Sequence, residues 1–167
     1  MEPVTVFIRG LPGLGKSTLA HKLSGITNFK IINPDDINTE SSDYIEFAHS
    51  LNVKRLKNIK YRYNLHQAIN YLLNGINIIW EQPWRKISNI SITIENIRNK
   101  TPTRYIILEF PLDIDKSWRE RENRFSSKQA FKKYVSKWQP LEENRNTVLV
   151  HENISISDLI NRINSTV

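Results

Sequence analysis

Apolar residues gather into five short runs, and the stretches between them carry apolar positions at helical spacing. Val4-Thr5-Val6-Phe7-Ile8 is β-branched and aromatic, the make-up of a buried strand. Similar runs follow at Phe29 to Asn33, Ile76 to Trp80, Arg104 to Leu108 and Thr147 to Val150. Pro34 and Pro111 close the second and fourth, since proline cannot donate to a sheet ladder. The spacing predicts helices over Ser17 to Leu23, stopped by Gly25, and over Arg55 to Asn74, with a stripe of Leu56, Ile59, Tyr63, Ala68, Ile69, Leu72 and Leu73 and a stop at Gly75. Further helices are expected over Ile87 to Asn99, Ile114 to Arg124, Lys128 to Trp138 and Ser155 to Ile163; the stretch from Thr39 to Asn52 is ambiguous, with a short helix from near Asp43. Apolar strands alternating with helices imply a parallel sheet covered on both faces, joined by right-handed crossovers. No internal repeat or linker divides the 167 residues, so one domain is expected over 1–167.

The first strand runs into Gly10-Leu11-Pro12-Gly13-Leu14-Gly15-Lys16-Ser17, which matches the phosphate-loop pattern G-x-x-x-x-G-K-[ST] at every defined position. A strand, a glycine-rich turn and a helix start together aim backbone N–H groups and the positive end of a helix dipole at one anionic pocket. Gly10, Gly13 and Gly15 are expected to permit positive φ and close backbone approach. Lys16 supplies a mobile charge for the β- and γ-phosphates, and the Ser17 hydroxyl is a hard oxygen ligand for Mg²⁺. A nucleoside triphosphate is therefore expected on Gly10, Gly13, Leu14, Gly15, Lys16, Ser17 and Thr18. A chance glycine turn between strand and helix is the plain alternative.

Composition narrows the picture only a little. Hydrophobic residues make up 39% and charged residues 25%, ordinary for a globular protein. There are no cysteines, which excludes disulfides and thiolate metal sites, and no run reaches the length of a membrane span. Met1-Glu2-Pro3 lacks a secretory pattern, and a cytoplasmic setting is expected. The net charge of +7 suits a nucleic-acid partner, but Lys and Arg are dispersed rather than massed. The four histidines lack metal-ligand spacing and read as structural or surface residues.

The loop, a strand ending Asn33-Pro34-Asp35-Asp36, an acidic residue after the third strand and an arginine-rich helix together resemble the small P-loop kinases. The polynucleotide 5′-hydroxyl kinases and the zeta-toxin kinases are most similar. This resemblance implies a three-layer α/β P-loop NTPase fold with a five-stranded parallel sheet and a helical lid over about residues 112–138. It assigns the acceptor-activating carboxylate to Asp35, with Asp36 as the alternative, and it gives Glu81 and Arg85 a grip on the substrate. Here Gln82-Pro83-Trp84 replaces the small Gly-Thr type of stretch usual between them in zeta-type kinases. Lid arginines would close on the triphosphate: Arg119, Arg121 and Arg124 are the candidates, of which Arg121 and Arg124 share a helix face. Each has a plainer reading, since an aspartate can cap a helix, Glu81 and Arg85 can form a surface pair, and the arginines can lace a solvated face with Glu120 and Glu122.

Trp84 follows a strand end at the expected site mouth, where it would stack on a base or sugar, or else pack in the core. The expected activity is Mg²⁺- and ATP-dependent phosphoryl transfer to a hydroxyl, with a polynucleotide 5′-hydroxyl favoured by Asp35-Asp36 and the charge. A small metabolite, nucleotide or nucleotide sugar is favoured by Glu81 and Arg85. Polynucleotide kinases place an arginine just after the Asp-Asp pair, where this chain has Asn38. A regulatory ATPase module is the reading from another class, although the third strand ends Trp80-Glu81-Gln82 without the paired acids such modules show. The intact Lys16 and Ser17 argue against a degenerate, inactive domain.

Overall fold

The computed structural model describes residues 2–51, 58–121 and 125–166, the side chain of residue 121 excepted. Five strands, β1 (Val4–Arg9), β2 (Lys30–Ile32), β3 (Ile78–Glu81), β4 (Arg104–Glu109) and β5 (Thr147–Leu149), form one parallel sheet in the order β2-β3-β1-β4-β5. The central strands are the ones that read as continuous apolar runs: every residue of β1 and β3 is buried. The short β2 and β5 stand at the edges.

Alternation within the strands sorts side chains onto two faces. Val4, Val6 and Ile8 of β1 join Ile79, Ile106, Leu108 and Val148 against Leu19 and Leu23 of α1 (Lys16–Thr27) and Leu159 and Ile163 of α7 (Ile156–Ser165). Phe7 joins Ile78, Trp80 and Ile107 on the other face, under Ala68 and Leu72 of α3 (Ile59–Leu73) and Ile90, Ile94 and Ile97 of α4 (Ile87–Arg98). The expected three-layer α/β P-loop fold is thus present. Three more helices lie outside these layers or at their rim: α2 (Ser42–Ser50), α5 (Ile114–Arg121) and α6 (Lys128–Val135).

Several boundaries differ from the sequence reading. Gly25 does not stop α1, which runs on to Thr27 and ends with Asn28 in the left-handed region at φ 58°. A lone glycine weakens a helix but does not end one whose Leu19 and Leu23 are anchored in the core. The ambiguous stretch resolves into α2, capped by the Ser41 hydroxyl on the Tyr44 N–H at 3.3 Å. β3 starts at Ile78 and includes Glu81, so that carboxylate sits in the sheet's end rather than in a loop after it. The helix expected to reach Trp138 ends at Val135, and Trp138 packs instead on Leu11 and Leu14 of the phosphate loop. The expected start of α3, with Leu56, lies outside the described residues.

Candidate active site

The Gly10–Ser17 turn follows β1 at the carboxyl edge of the sheet, where strand order reverses between β3 and β4 on its two sides. Gly13 and Gly15 adopt φ of 83° and 97°, a region L side chains avoid. Gly10 has a different reason from the expected one. Its φ is not positive; a Cβ there would lie 2.7 Å from the Phe110 Cβ. Gly10→Ala therefore overpacks the junction of β1 and β4, and thermal unfolding should show a loss of about 1–3 kcal/mol.

Lys16 opens α1 and is nearly buried, with its Nζ donating to the Leu11 carbonyl at 3.1 Å and lying 3.8 Å from Glu81 Oε1. The Ser17 hydroxyl donates to Glu81 Oε2 at 3.2 Å, and Asn33 Nδ2 donates to the same oxygen at 2.7 Å. Glu81 is thus the hub of the loop's acidic side, 5% exposed at the end of β3. Burial pushes its carboxyl above the ordinary value, against the pull of Lys16 and the Ser17 hydrogen bond; Asp35 and Asp36 add to the upward push. From pH 4.5 up to its raised value, folded Glu81 keeps a proton that the unfolded chain has released, so this group's contribution falls as pH rises through that window. In urea unfolding followed across that range, Glu81→Gln should remove this downward component of the slope.

Across the loop, Asn33 also fixes the second carboxylate. Its Oδ1 accepts the Asp35 N–H at 2.9 Å and starts a 3-10 turn over Pro34–Asp36. One asparagine thereby ties Glu81 to the turn that carries Asp35. A cavity of about 420 Å³ lies between, lined by Gly13, Lys16, Ser17, Asp35, Glu81 and Gln82 among others, with Glu120 of α5 at its edge. Asp36 does not line it. The structure brings together Gly13, Gly15, Lys16, Ser17, Thr18, Asp35 and Glu81 of the expected site.

The remaining expected residues fare differently. Trp84 is 2% exposed, with its ring packed edge-on to Phe7 and Trp80 at 5.4 Å from each. That burial corrects the stacking role: no face of the ring is open to a base or sugar. Trp84 also has φ 52°, in the left-handed region where a bulky residue is strained. Arg85 does not line the cavity and lies over the Tyr134 ring at 5.3 Å. Arg119 is exposed on α5, the Arg121 side chain is not described, and Arg124 lies outside the described residues. Leu14 is 7% exposed and contributes its side chain to the Leu11–Trp138 cluster.

Sequence reasoning missed two features. The Ser117 hydroxyl of α5 donates to the Pro12 carbonyl at 2.6 Å, tying the expected lid to the phosphate loop; Ser117 is wholly buried, which its charged neighbours concealed. A second cavity of about 780 Å³ opens on the other side of the loop, sharing Gly15 and Thr18 with the first. Its apolar walls include Leu14, Phe110, Val150 and Ile154, with charged side chains such as Lys22 and Asp113 also lining it. An apolar slot beside a phosphate loop suits the base and sugar of a nucleotide. It is assembled from the ends of β4 and β5 and three helices, and no local pattern announces such a surface.

The hard oxygens of Ser17 and Glu81, close together beside Lys16, fit a Mg²⁺ ion held by few protein ligands plus phosphate oxygens. No cluster of three or more His, Cys, Asp or Glu able to hold a metal occurs among the described residues. None of the helices among the described residues is long and apolar enough to cross a membrane.

The AAA domain family matches residues 6–141. No curated protein matches the chain in sequence. Among solved structures, a candidate kinase from Chloroflexus aurantiacus is similar over 100% of both chains, with a TM-score of 0.73 and 15% identity. A gluconokinase from Sinorhizobium meliloti is similar over 97% of this chain and 90% of its own, with a TM-score of 0.57 and 12% identity. A chain of the Pnkp1/Rnl/Hen1 RNA repair complex is similar over 81% of this chain and 43% of its own, with a TM-score of 0.59 and 20% identity. The fold is that of P-loop kinases.

Proposed function

The chain belongs to the AAA domain family, and on that footing we propose that it is an ATP-dependent kinase that moves the γ-phosphate of ATP to a substrate hydroxyl. The observation that carries this reading is the division of labour between two carboxylates on one cavity. Glu81 is engaged by Ser17 and Asn33 beside the loop, whereas Asp35 faces the same space from a separate turn. Ser17 and Glu81 would hold Mg²⁺, which supplies neutralisation of the charge on the β- and γ-phosphate oxygens. Lys16 adds a second positive charge on the phosphates, and the backbone N–H groups of Gly13 to Ser17 receive the polyphosphate. Asp35 accepts the proton of the acceptor hydroxyl and holds its oxygen in line with the leaving group. The second cavity receives the nucleoside end of ATP. The exposed Arg119, together with Arg121 and Arg124, is assigned the closing role over the triphosphate.

A polynucleotide 5′-hydroxyl is the first acceptor on this reading, supported by Asp35 on the cavity lining and by the net charge of +7. A small metabolite, nucleotide or nucleotide sugar is the second. Among these the cavity's own charge favours an uncharged small alcohol: Asp35, Glu81 and Glu120 line it, and Lys16 is the only cation among the described lining residues. ATP labelled at the γ-position, offered with a 5′-hydroxyl oligonucleotide and separately with nucleosides and sugars, tests both. Label on the oligonucleotide supports the first, label on a small alcohol the second. Label found only as free phosphate in every arm would overturn the kinase reading in favour of an ATPase module.

A further inference from the structure

Arg9, the last residue of β1, is wholly buried and immediately precedes the phosphate loop. It stands opposite Glu109 in the β1–β4 register, and its Nη1 donates to Glu109 Oε1. The rest of the guanidinium is taken up by backbone carbonyls. Nε donates to the Trp84 carbonyl at 2.7 Å, and Nη2 donates to the Arg85 carbonyl at 3.2 Å and to the Gln139 carbonyl. The Trp138 ring covers it at 4.3 Å. Burying a guanidinium is unfavourable unless its donors are answered, and here one ion pair and three carbonyls answer four of its five N–H groups.

The carbonyls belong to two loops that are remote in sequence. One leads out of β3 from Gln82 to Lys86 and includes the strained Trp84; the other, Ser136 to Leu141, leads out of α6. They meet again where the Ile87 N–H donates to Gln139 Oε1 at 3.1 Å and where Arg85 lies over Tyr134. Gln82 and Pro83 line the cavity, so the shape of the first loop sets one wall of the acceptor site. A Trp in the left-handed region persists only when its surroundings over-determine it. The bond from Arg9 to its carbonyl is one such constraint, and the burial of its ring is the other.

We propose that Arg9 is a positioning residue that locks the loop after β3 to the end of α6, holding the acceptor wall and the root of the lid in one arrangement against the phosphate-loop strand. It touches neither nucleotide nor acceptor. Lysine is not an equivalent here: a point-charge ammonium can keep the pair with Glu109 but cannot span three carbonyls with a planar fork. The effect on transfer rests on the kinase reading; the effect on loop order does not.

The test combines Arg9→Met/Glu109→Gln, which removes both charges and so leaves no unpaired buried ion, with Arg9→Lys, which retains the pair. Hydrogen exchange, thermal unfolding, affinity for a non-hydrolysable ATP analogue and γ-phosphate turnover are read on each. Both variants should exchange the backbone amides of 84–87 and 138–141 at least about tenfold faster than wild type, with β1 and β4 protection kept. Nucleotide affinity should stay within about threefold while kcat falls at least about tenfold. Unchanged exchange in both segments in the double variant would overturn the proposal, as would a uniform loss of protection across β1 and β4 in Arg9→Lys. If the double variant fails to fold, Arg9→Lys decides: faster exchange confined to the two loops supports the lock, and wild-type exchange overturns it. Faster loop exchange without any turnover in wild type would uphold the lock and fail the kinase reading.

Discussion

Lys16→Ala should abolish turnover, lowering kcat by about 10²–10³-fold or more in a γ-phosphate release or transfer assay. The lysine is one of few cations placed to meet charge on the phosphates, and its removal has a second consequence. Glu81, already buried and pushed toward its protonated form, loses the nearby ammonium that opposes that push. Its carboxyl should rise further, and the Ser17–Glu81 pair should become a poorer ligand for a divalent ion at neutral pH. Nucleotide binding measured with and without Mg²⁺ should therefore show a smaller metal effect in Lys16→Ala than in wild type. A variant with wild-type turnover would show that the loop is not the phosphate site.

Asp35→Asn should lower transfer by about 10²–10⁴-fold while leaving affinity for ATP within about threefold of wild type. Asparagine keeps the shape and the exposed position of the turn, and the Asn33 bond to the residue-35 N–H is a backbone contact that the substitution spares. What is lost is the acceptor for the hydroxyl proton. Single-turnover measurement with labelled ATP and the acceptor found active separates this from weakened binding. An Asp35→Asn enzyme running at full speed would move the base role to Asp36 or to solvent; a matching Asp36→Asn variant would then show the defect. Asp36 does not line the cavity, so Asp36→Asn is expected to be near wild type.

Both predictions rest on residues that could be read in one dimension. The phosphate loop is legible because its expected chemistry is local: the backbone amides proposed to bind lie within eight consecutive residues, so spacing along the chain is spacing in the site. Asp35 is legible for a similar reason, since β2 ends at Ile32 and the Pro34–Asp36 turn that follows keeps the next residues at the sheet's carboxyl edge. Glu81 was placed in the site, but its hub role was not visible, because its partners Ser17 and Asn33 lie 64 and 48 residues away. Trp84 stays open between stacking and core packing in the sequence for the complementary reason. A tryptophan three residues past a strand end can turn outward or inward, and only the packing of Phe7 and Trp80 decides that it turns inward.

The sequence by itself determined the order of strands and helices, the parallel sheet and the polyphosphate turn, all of which depend on residues close together in the chain. Tertiary structure alone decided that Arg9 and Glu109 stand side by side, that α6 ends against the phosphate loop, and that the β4 and β5 ends enclose a second cavity. The physical reason is range. Hydrophobic periodicity and turn chemistry act over a few residues, whereas the partners of a buried guanidinium, a packed tryptophan or a cavity wall are brought together by strand order, and many different partners could satisfy the same isolated sequence signal.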